Sequence, residues 1–216
     1  MPLVIFDLDD TLLAGDSEGA WANFMLKQGI VKEINFEQQL SNFEIEYRKG
    51  TLNINAYLNL LMEPLIRRPV KEVKELANTF ASQVVKDLTD SITRELLEAH
   101  KYDTCLIVSG TLDFLVNEIS LLLGIKESIS TKAEIQGNTF TGKIVGSPNF
   151  GEQKVLNTKA WLSRNKWVIS EKIFAYSDSI FDLPLLEFSN IPCAVSPDNK
   201  LRKVAKNKGW KILERN

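Results

Sequence analysis

Apolar positions in this chain follow two patterns, and the alternation between them sets the expected fold. Short runs rich in β-branched residues read as buried strands: Leu3-Val4-Ile5-Phe6, residues 104–108, Lys172-Ile173-Phe174-Ala175-Tyr176 and residues 191–195. Stretches with apolar residues at three- and four-residue spacing read as helices at 112–123 (stopped by Gly124), about 152–164, a short segment after Asp182, and about 198–208. Residues 131–136 and 139–145 flank Gly137-Asn138, a two-residue hairpin signal, and 210–213 reads as a small edge strand. Strand and helix signals that alternate in this way predict a parallel α/β sheet with helices on both faces.

One interval breaks the alternation. Between the first strand and residue 100 there is no strand-like run. Trp21, Phe24 and Met25, then Leu40, Phe43 and Tyr47, then Leu58, Leu61, Met62 and Leu65 keep helical spacing, with breaks at Gly29, Gly50 and Pro69. Four or five helices are expected, far more than a βα connection needs. We therefore expect an all-helical cap, 14–94, inserted after the first strand of a core made from 1–13 and 95–216. The aromatic stripes of the cap are expected to form its own core.

Composition narrows the class. The 216 residues carry a net charge of −2, with 44% hydrophobic and 25% charged residues, an ordinary globular balance with no basic excess for nucleic acid. Lys200, Arg202, Lys203, Lys206 and Lys208 are expected to be the solvated face of the last long helix. The N-terminal apolar run is interrupted at once by Asp7, Asp9 and Asp10, so no secretory signal is read, and no stretch reaches the roughly 18 apolar residues of a membrane span. Cys105 and Cys193 sit inside apolar runs, as free thiols of a cytoplasmic protein would. His100 stands alone at a predicted helix end and is expected at the surface or as a cap, which leaves no two-histidine site. Neither cysteine starts a Cys-x5-Arg loop, and no Gly-x4-Gly-Lys-Ser/Thr loop is present.

The chemistry gathers at strand ends. Asp7 and Asp9 follow the first strand, Ser109-Gly110 the second, and Asp178 and Asp182 the third. Ligands of open α/β sheets sit at the carboxyl ends of the strands, and neighbouring parallel strands would bring these tips together. Converging carboxylates repel unless a cation lies between them, and an oxygen-only donor set favours Mg²⁺. Lys154, near the start of a helix, can balance further negative charge. Each position also has an ordinary structural use: Ser109 or Asp182 as a helix cap, Lys154 as a surface lysine.

Asp7-Leu8-Asp9-Asp10-Thr11, Val108-Ser109-Gly110, Gly151-Glu152-Gln153-Lys154 and Ser177-Asp178-Ser179-Ile180-Phe181-Asp182, in this order, resemble the four motifs of the haloacid dehalogenase superfamily, in its phosphoserine-phosphatase-like branch. The resemblance runs over about residues 3–195 and implies a Rossmann-like, doubly wound parallel sheet with a helical cap and a small β-hairpin. It implies a Mg²⁺-dependent phosphatase acting on a small phosphorylated metabolite. Asp7 would be the nucleophile that forms an aspartyl phosphate, and Asp9 the general acid/base. Asp7, the Asp9 carbonyl and Asp178 would hold the metal. Ser109, Gly110 and Lys154 would bind phosphate, and Asp182 would orient Lys154 or a metal-bound water. A phosphotransferase or phosphomutase, or a binding module that keeps the fold without turnover, are the alternatives. Neither a nucleic-acid nor a membrane partner is expected, and the chain is expected to be a monomer or homodimer.

The match departs from phosphoserine phosphatases in three places. Asp16 stands where they carry a glutamate. The position of their carboxylate-binding arginine falls at Leu61, which leaves Arg48, Arg67 and Arg68 as the nearest arginines, with Arg48 best placed for the cap. Phe181 replaces the asparagine of the fourth motif. An acidic Asp16 suits a substrate with an amine or hydroxyl group, such as histidinol phosphate or another phosphorylated amino alcohol, better than phosphoserine.

Overall fold

A computed structural model describes residues 1–31, 35–167 and 172–215, without the side chain of Arg48. Its main sheet has six parallel strands, β1 (Leu3–Phe6), β2 (Thr104–Leu112), β3 (Glu127–Thr131), β6 (Ile173–Ser177), β7 (Ile191–Val195) and β8 (Lys211–Leu213). They lie in the order β3-β2-β1-β6-β7-β8. Strands β4 (Ala133–Gln136) and β5 (Thr139–Ile144) form the separate antiparallel hairpin. This is the doubly wound sheet expected from the alternation of strands and helices.

The central strand is apolar throughout because both of its faces are covered. Val4 and Phe6 pack beneath the inserted helices and α6 (Asp113–Leu122). Leu3 and Ile5 face the opposite layer, made by α7 (Glu152–Arg164), α8 (Leu183–Phe188) and α9 (Asn199–Lys208). All four side chains are inaccessible to solvent. Phe6 pairs with Ile107 on one side and Tyr176 on the other, so the ends of β2, β1 and β6 stand next to each other.

Strand β3 was not visible in the hydrophobic pattern. Its sequence Glu-Ser-Ile-Ser-Thr has a single apolar residue, as suits a sheet edge that is half-buried along most of its length, and it takes Thr131 from the expected hairpin. Strand β2 runs to Leu112 rather than ending at Val108, but its register on β3 shifts between Val108 and Leu112. That irregularity turns Ser109, Gly110 and Thr111 out of the ladder at the strand end, the usual place for a bulge beside a site.

Five α-helices separate β1 from β2: α1 (Ser17–Lys27), α2 (Phe36–Lys49), α3 (Ile54–Met62), α4 (Val70–Leu88) and α5 (Ser91–Ala99). Trp21 is their aromatic centre, packed on Phe24 and Phe80 within the insert and on Phe114 of α6 outside it. The aromatic stripe thus joins insert to core as well as filling the insert. The hairpin is sewn to the turn before α4 by Arg67 N–H to the Phe140 carbonyl (2.9 Å), Phe140 N–H to that of Arg68 (3.1 Å) and Val70 N–H to that of Asn138 (2.9 Å). Gly142 allows this approach: at φ +85°, a Cβ there would fall 2.5 Å from Ile66.

The two crossings between insert and core are tied together. Ala14 N–H donates to the Leu88 carbonyl at 2.8 Å, and the Thr93 hydroxyl donates to the Leu12 carbonyl. Asp90 and Thr93 close a capping box on α5, so the expected boundary at residue 94 falls inside a helix.

His100 is the C-cap of α5, one of the two roles expected for it, but it is not at the surface. It is 7% exposed, with Nδ1 2.8 Å from Asp103 and Nε2 2.7 Å from the Tyr176 hydroxyl, among the rings of Phe6, Phe174 and Tyr176. Its backbone closes α5 while its ring packs against β1 and β6. Lys200, Lys203, Lys206 and Lys208 are exposed as expected, and both cysteines are free. Among the described residues no helix is long and apolar enough to cross a membrane.

Candidate active site

The sharp turn after β1 is built to present two carboxylates. Asp7 leaves the strand with its N–H on the Tyr176 carbonyl, Asp9 is extended, and Asp10 adopts a left-handed backbone (φ +51°). Asp7 is thereby buried at the floor of a cavity of about 640 Å³. Asp9, Asp16, Ser109, Gly110, Lys154, Asp178 and Asp182 line the same cavity, so the structure brings these expected site residues to one place. Arg48 belongs to α2, and its side chain lies outside the described residues. Leu61 is fully buried in the apolar core, so no clamp can come from that position.

Lys154 is the hub. Gly151, at φ +56° and ψ −128°, turns the chain into α7, and Lys154 in its first turn is 4% exposed. Its Nζ donates to Asp7 Oδ1 at 2.8 Å and to Asp182 Oδ2 at 2.7 Å, and the Ser177 hydroxyl donates to the same Asp182 oxygen at 2.8 Å. Burial disfavours the ammonium, but Asp182 and Asp7 outweigh it and raise the Lys154 pKa. Lys154 is therefore a fixed cation, and Asp182 orients it.

The Thr11 hydroxyl lies 3.4 Å from Asp7 Oδ2 and 3.3 Å from Asp178 Oδ1, so these two carboxylates converge on one point. Burial, partly offset by Lys154, lifts the Asp7 pKa to about 7, and repulsion from Asp182 and Asp9 adds to it. Asp178 is also raised well above the carboxylate range by burial and then by Asp7. Two carboxylates that suffer from each other fit a divalent cation, which would reverse both shifts. The donors are all oxygens, as Mg²⁺ prefers, and Mg²⁺ asks for only one or two carboxylates besides waters and phosphate. Among the described residues no three acidic, histidine or cysteine side chains form a ready-made cage.

Asp9 is held differently. The Ser17 amide at the start of α1 donates to its Oδ1 and the Thr111 hydroxyl to its Oδ2, each at 2.6 Å. Burial first, then the charge of Asp16, raises its pKa to about 6, close to the value a group needs both to give and to take a proton near neutrality. Asp16 caps α1 by accepting from Glu18 N–H at 2.9 Å. Glu18 is buried, accepts from Leu112 N–H at 3.1 Å, interacts with the Tyr57 hydroxyl, and is raised well above its ordinary pKa by burial and then by Asp16. At the cavity rim the Tyr47 hydroxyl donates to Ser179 Oγ at 3.0 Å, and its ring packs on Phe181, which packs on Phe150.

The arrangement gathers two buried carboxylates, a third carboxylate with a pKa near 6, a buried cation and the Ser109 hydroxyl around one cavity, a set that suits phosphoryl transfer. The profile of the haloacid dehalogenase-like hydrolases matches residues 4–187. The chain belongs to this family. Over 216 aligned residues it is 35% identical to a protein named histidinol-phosphatase from Neisseria meningitidis serogroup C, covering 98% of this chain and 97% of that one. A crystal structure of a Bordetella pertussis Tohama I protein of unknown function superposes with a TM-score of 0.89 at 28% identity, over 98% and 97% of the two chains. A phospho-aspartyl intermediate analogue of phosphoserine phosphatase shares the fold at a TM-score of 0.68 and 18% identity, over 99% and 93%. This haloacid dehalogenase-like hydrolase is a phosphatase.

Several site residues of this hydrolase were not found from its sequence. Thr111, Glu18 and Tyr57 carry no motif, and only the packing of β2, α1 and α3 against one another places them, while Ser177 was read only as part of the fourth motif, without its bond to Asp182. Phe181 was noticed only as a departure; its partner Tyr47 lies 134 positions earlier on another helix. Asn149 is 1% exposed and donates to the carbonyls of Ser109 (2.9 Å) and Ile129 (3.1 Å), fixing the phosphate-loop strand. An asparagine beside Pro148 reads as turn chemistry, so its sequence signal pointed elsewhere.

Proposed function

We propose that this chain hydrolyses a small phosphomonoester in two steps through an aspartyl phosphate on Asp7. The contact of Lys154 with both Asp7 and Asp182, at the floor of a cavity that also holds Asp9, carries the reading. Asp7 attacks phosphorus while the bond to the leaving oxygen breaks, and protonated Asp9 gives that oxygen its proton. Water then attacks the same phosphorus as Asp9 takes its proton; the bond to Asp7 breaks and inorganic phosphate leaves. Ser109 Oγ and the Gly110 amide hold phosphoryl oxygens, and Lys154 offsets their charge. Asp7, Asp178 and the Asp9 carbonyl would hold Mg²⁺, which when bound supplies positive charge to the phosphoryl oxygens.

The leaving group is an amino alcohol, with histidinol phosphate the best fit. Asp16 and Glu18 face that end of the cavity, and among the described lining side chains Lys154, at the phosphate end, is the one cation. The 35% identity to a protein named histidinol-phosphatase supports the same choice. The helices over the site, α1–α4, act as a cap, and the free cysteines suit a reducing cytoplasm. The test is phosphate release from histidinol phosphate, phosphoethanolamine and phosphoserine, with Mg²⁺ and with chelator. Release that needs Mg²⁺ and favours the first two is expected; metal-independent release, or none from any ester, overturns the proposal.

A further inference from the structure

We infer that Arg215 is a positioning residue for the catalytic turn, acting from beyond β8 on the peptide units that follow Asp9. All three of its guanidinium nitrogens are engaged. Nη1 donates to the Asp10 carbonyl at 2.6 Å, Nη2 donates to the Thr11 carbonyl, and Nε donates to Asp90 Oδ2 at 2.9 Å. Its own N–H donates to the Ser196 hydroxyl at 2.7 Å, which anchors the base of the side chain to the end of β7. One planar fork therefore joins the first crossing into the insert, the returning crossing at Asp90, and the sheet.

The two carbonyls it grips are the ones whose orientation matters most. Asp10 has φ +51°, a left-handed conformation that is costly for an L-residue and persists only where its surroundings hold it. Its N–H is held by the Gly15 carbonyl at 3.1 Å and its C=O by Arg215, so both ends of the strained residue are fixed. The peptide before Asp10 carries the Asp9 carbonyl. The peptide after it carries Thr11, whose hydroxyl reaches both Asp7 and Asp178. Holding the carbonyls of Asp10 and Thr11 sets the direction of the Asp9 carbonyl on one side and of the Thr11 hydroxyl on the other. A guanidinium can do this because its geometry matches two successive acceptors; an ammonium offers only a point charge.

The inference rests on the proposed roles of Asp7, Asp9 and Asp178, and its test has a readout that needs no turnover. Mg²⁺ binding by calorimetry, kcat and KM with the best substrate, and Tm are measured for wild type, Arg215→Ala, Arg215→Lys and Asp90→Asn. Arg215→Ala is expected to weaken Mg²⁺ binding and lower kcat, each by about 10–100-fold with little change in KM, as removing a group that orients a metal site does. Arg215→Lys keeps the ion pair with Asp90 but should recover little, whereas added guanidinium should restore Arg215→Ala in part. Asp90→Asn keeps the cap of α5 and the grip of Arg215 on the two carbonyls but gives up the Nε contact, and should stay near wild type in both readouts. A lower Tm in Arg215→Ala with kcat and Mg²⁺ affinity unchanged would make Arg215 a mere staple and overturn the inference; full activity in Arg215→Lys would do the same. If wild type releases no phosphate from any ester, the phosphatase reading fails, while the Mg²⁺ isotherms still decide the role of Arg215.

Discussion

The two ends of the cavity are built on different principles. At the phosphate end, Asp7, Lys154, Asp182, Ser177 and Ser109 are each less than a tenth exposed, and the first four are linked by hydrogen bonds within one layer of strand ends and one helix start. At the leaving-group end, Asp16, Glu18, Tyr47 and Tyr57 come from three helices of the insert, with Tyr47 38% exposed and Asp16 open to the cavity. On the proposed reading, the first end balances charge for any phosphomonoester, and the second, a surface of acids and phenols, chooses among esters. The insert itself repeats the contrast: α1 and α4 are packed on α6 through Trp21, which touches Phe80 and Phe114, whereas α2 reaches the turn after β6 through Tyr47 on Ser179 and Phe181.

If this contrast holds, damage at the two ends must look different. Asp7→Asn should abolish turnover of every ester, a loss of about 10⁴-fold or more, because an amide is neither nucleophile nor anionic ligand. Asp9→Asn should cost roughly 10²–10⁴-fold for alkyl esters and less for an aryl phosphate whose leaving group needs no proton. Equal losses for both ester types would remove Asp9 from proton transfer. Steady-state kinetics with the two substrates reads both results.

Lys154→Met should fail in stability as well as activity. It leaves Asp7 and Asp182 buried without their cation, and losing one partner of a buried pair costs about 3–5 kcal/mol. Adding Asp182→Asn should return part of that stability, measured by urea unfolding, without returning activity. Recovery of activity in the double variant would show that Lys154 serves the fold alone.

At the other end the effects should be selective. Phosphoserine should be turned over at least about tenfold less efficiently in kcat/KM than phosphoethanolamine or histidinol phosphate, since its carboxylate would face Asp16 and Glu18. Asp16→Asn should narrow that gap while an ester with an uncharged leaving group, such as glycerol phosphate, changes little. A wild-type preference for phosphoserine would place a cation at that end and break the comparison.

The smallest effect concerns pH. In the metal-free protein Asp7, at about 7, Asp9, at about 6, and Asp178 are raised above their unfolded values. The folded state then binds more protons than the unfolded one, so these groups make stability fall as pH rises from about 4 to 7. Mg²⁺ relieves the repulsion. Its gain in Tm should therefore grow with pH, to about 5–10 °C near pH 7.5 at a hundredfold excess over Kd, and shrink below pH 5. A gain independent of pH would mean that the metal does not bind at Asp7 and Asp178.

The contrast also explains which residues could be read in advance. Asp7, Asp9, Ser109, Lys154, Asp178 and Asp182 sit at the ends of strands or the start of a helix, and their order along the chain mirrors the order in which a parallel sheet is laid down. A buried central strand has to be apolar, and its end has to turn, so the position of these residues follows from local pattern. The same logic gave the helical insert, the hairpin and nearly every core element. It failed at β3, whose half-buried edge needs no apolar run, and at the burial of His100, the C-cap of α5, whose ring packs against Phe6, Phe174 and Tyr176.

What the chain by itself determined is therefore the phosphate end: secondary structure, strand polarity and the identities of the groups at the strand tips, all of them set by contacts between near neighbours in sequence. What only the tertiary structure decided is everything made by segments that meet from afar. Thr111 on Asp9, Glu18 against Leu112 and Tyr57, Tyr47 on Phe181, and Arg215 on the carbonyls of Asp10 and Thr11 join positions from 39 to 205 residues apart. No periodicity encodes such pairs, because each side chain alone fits an ordinary helix, strand or surface; their chemistry exists only where packing removes water and leaves each polar group one partner to find.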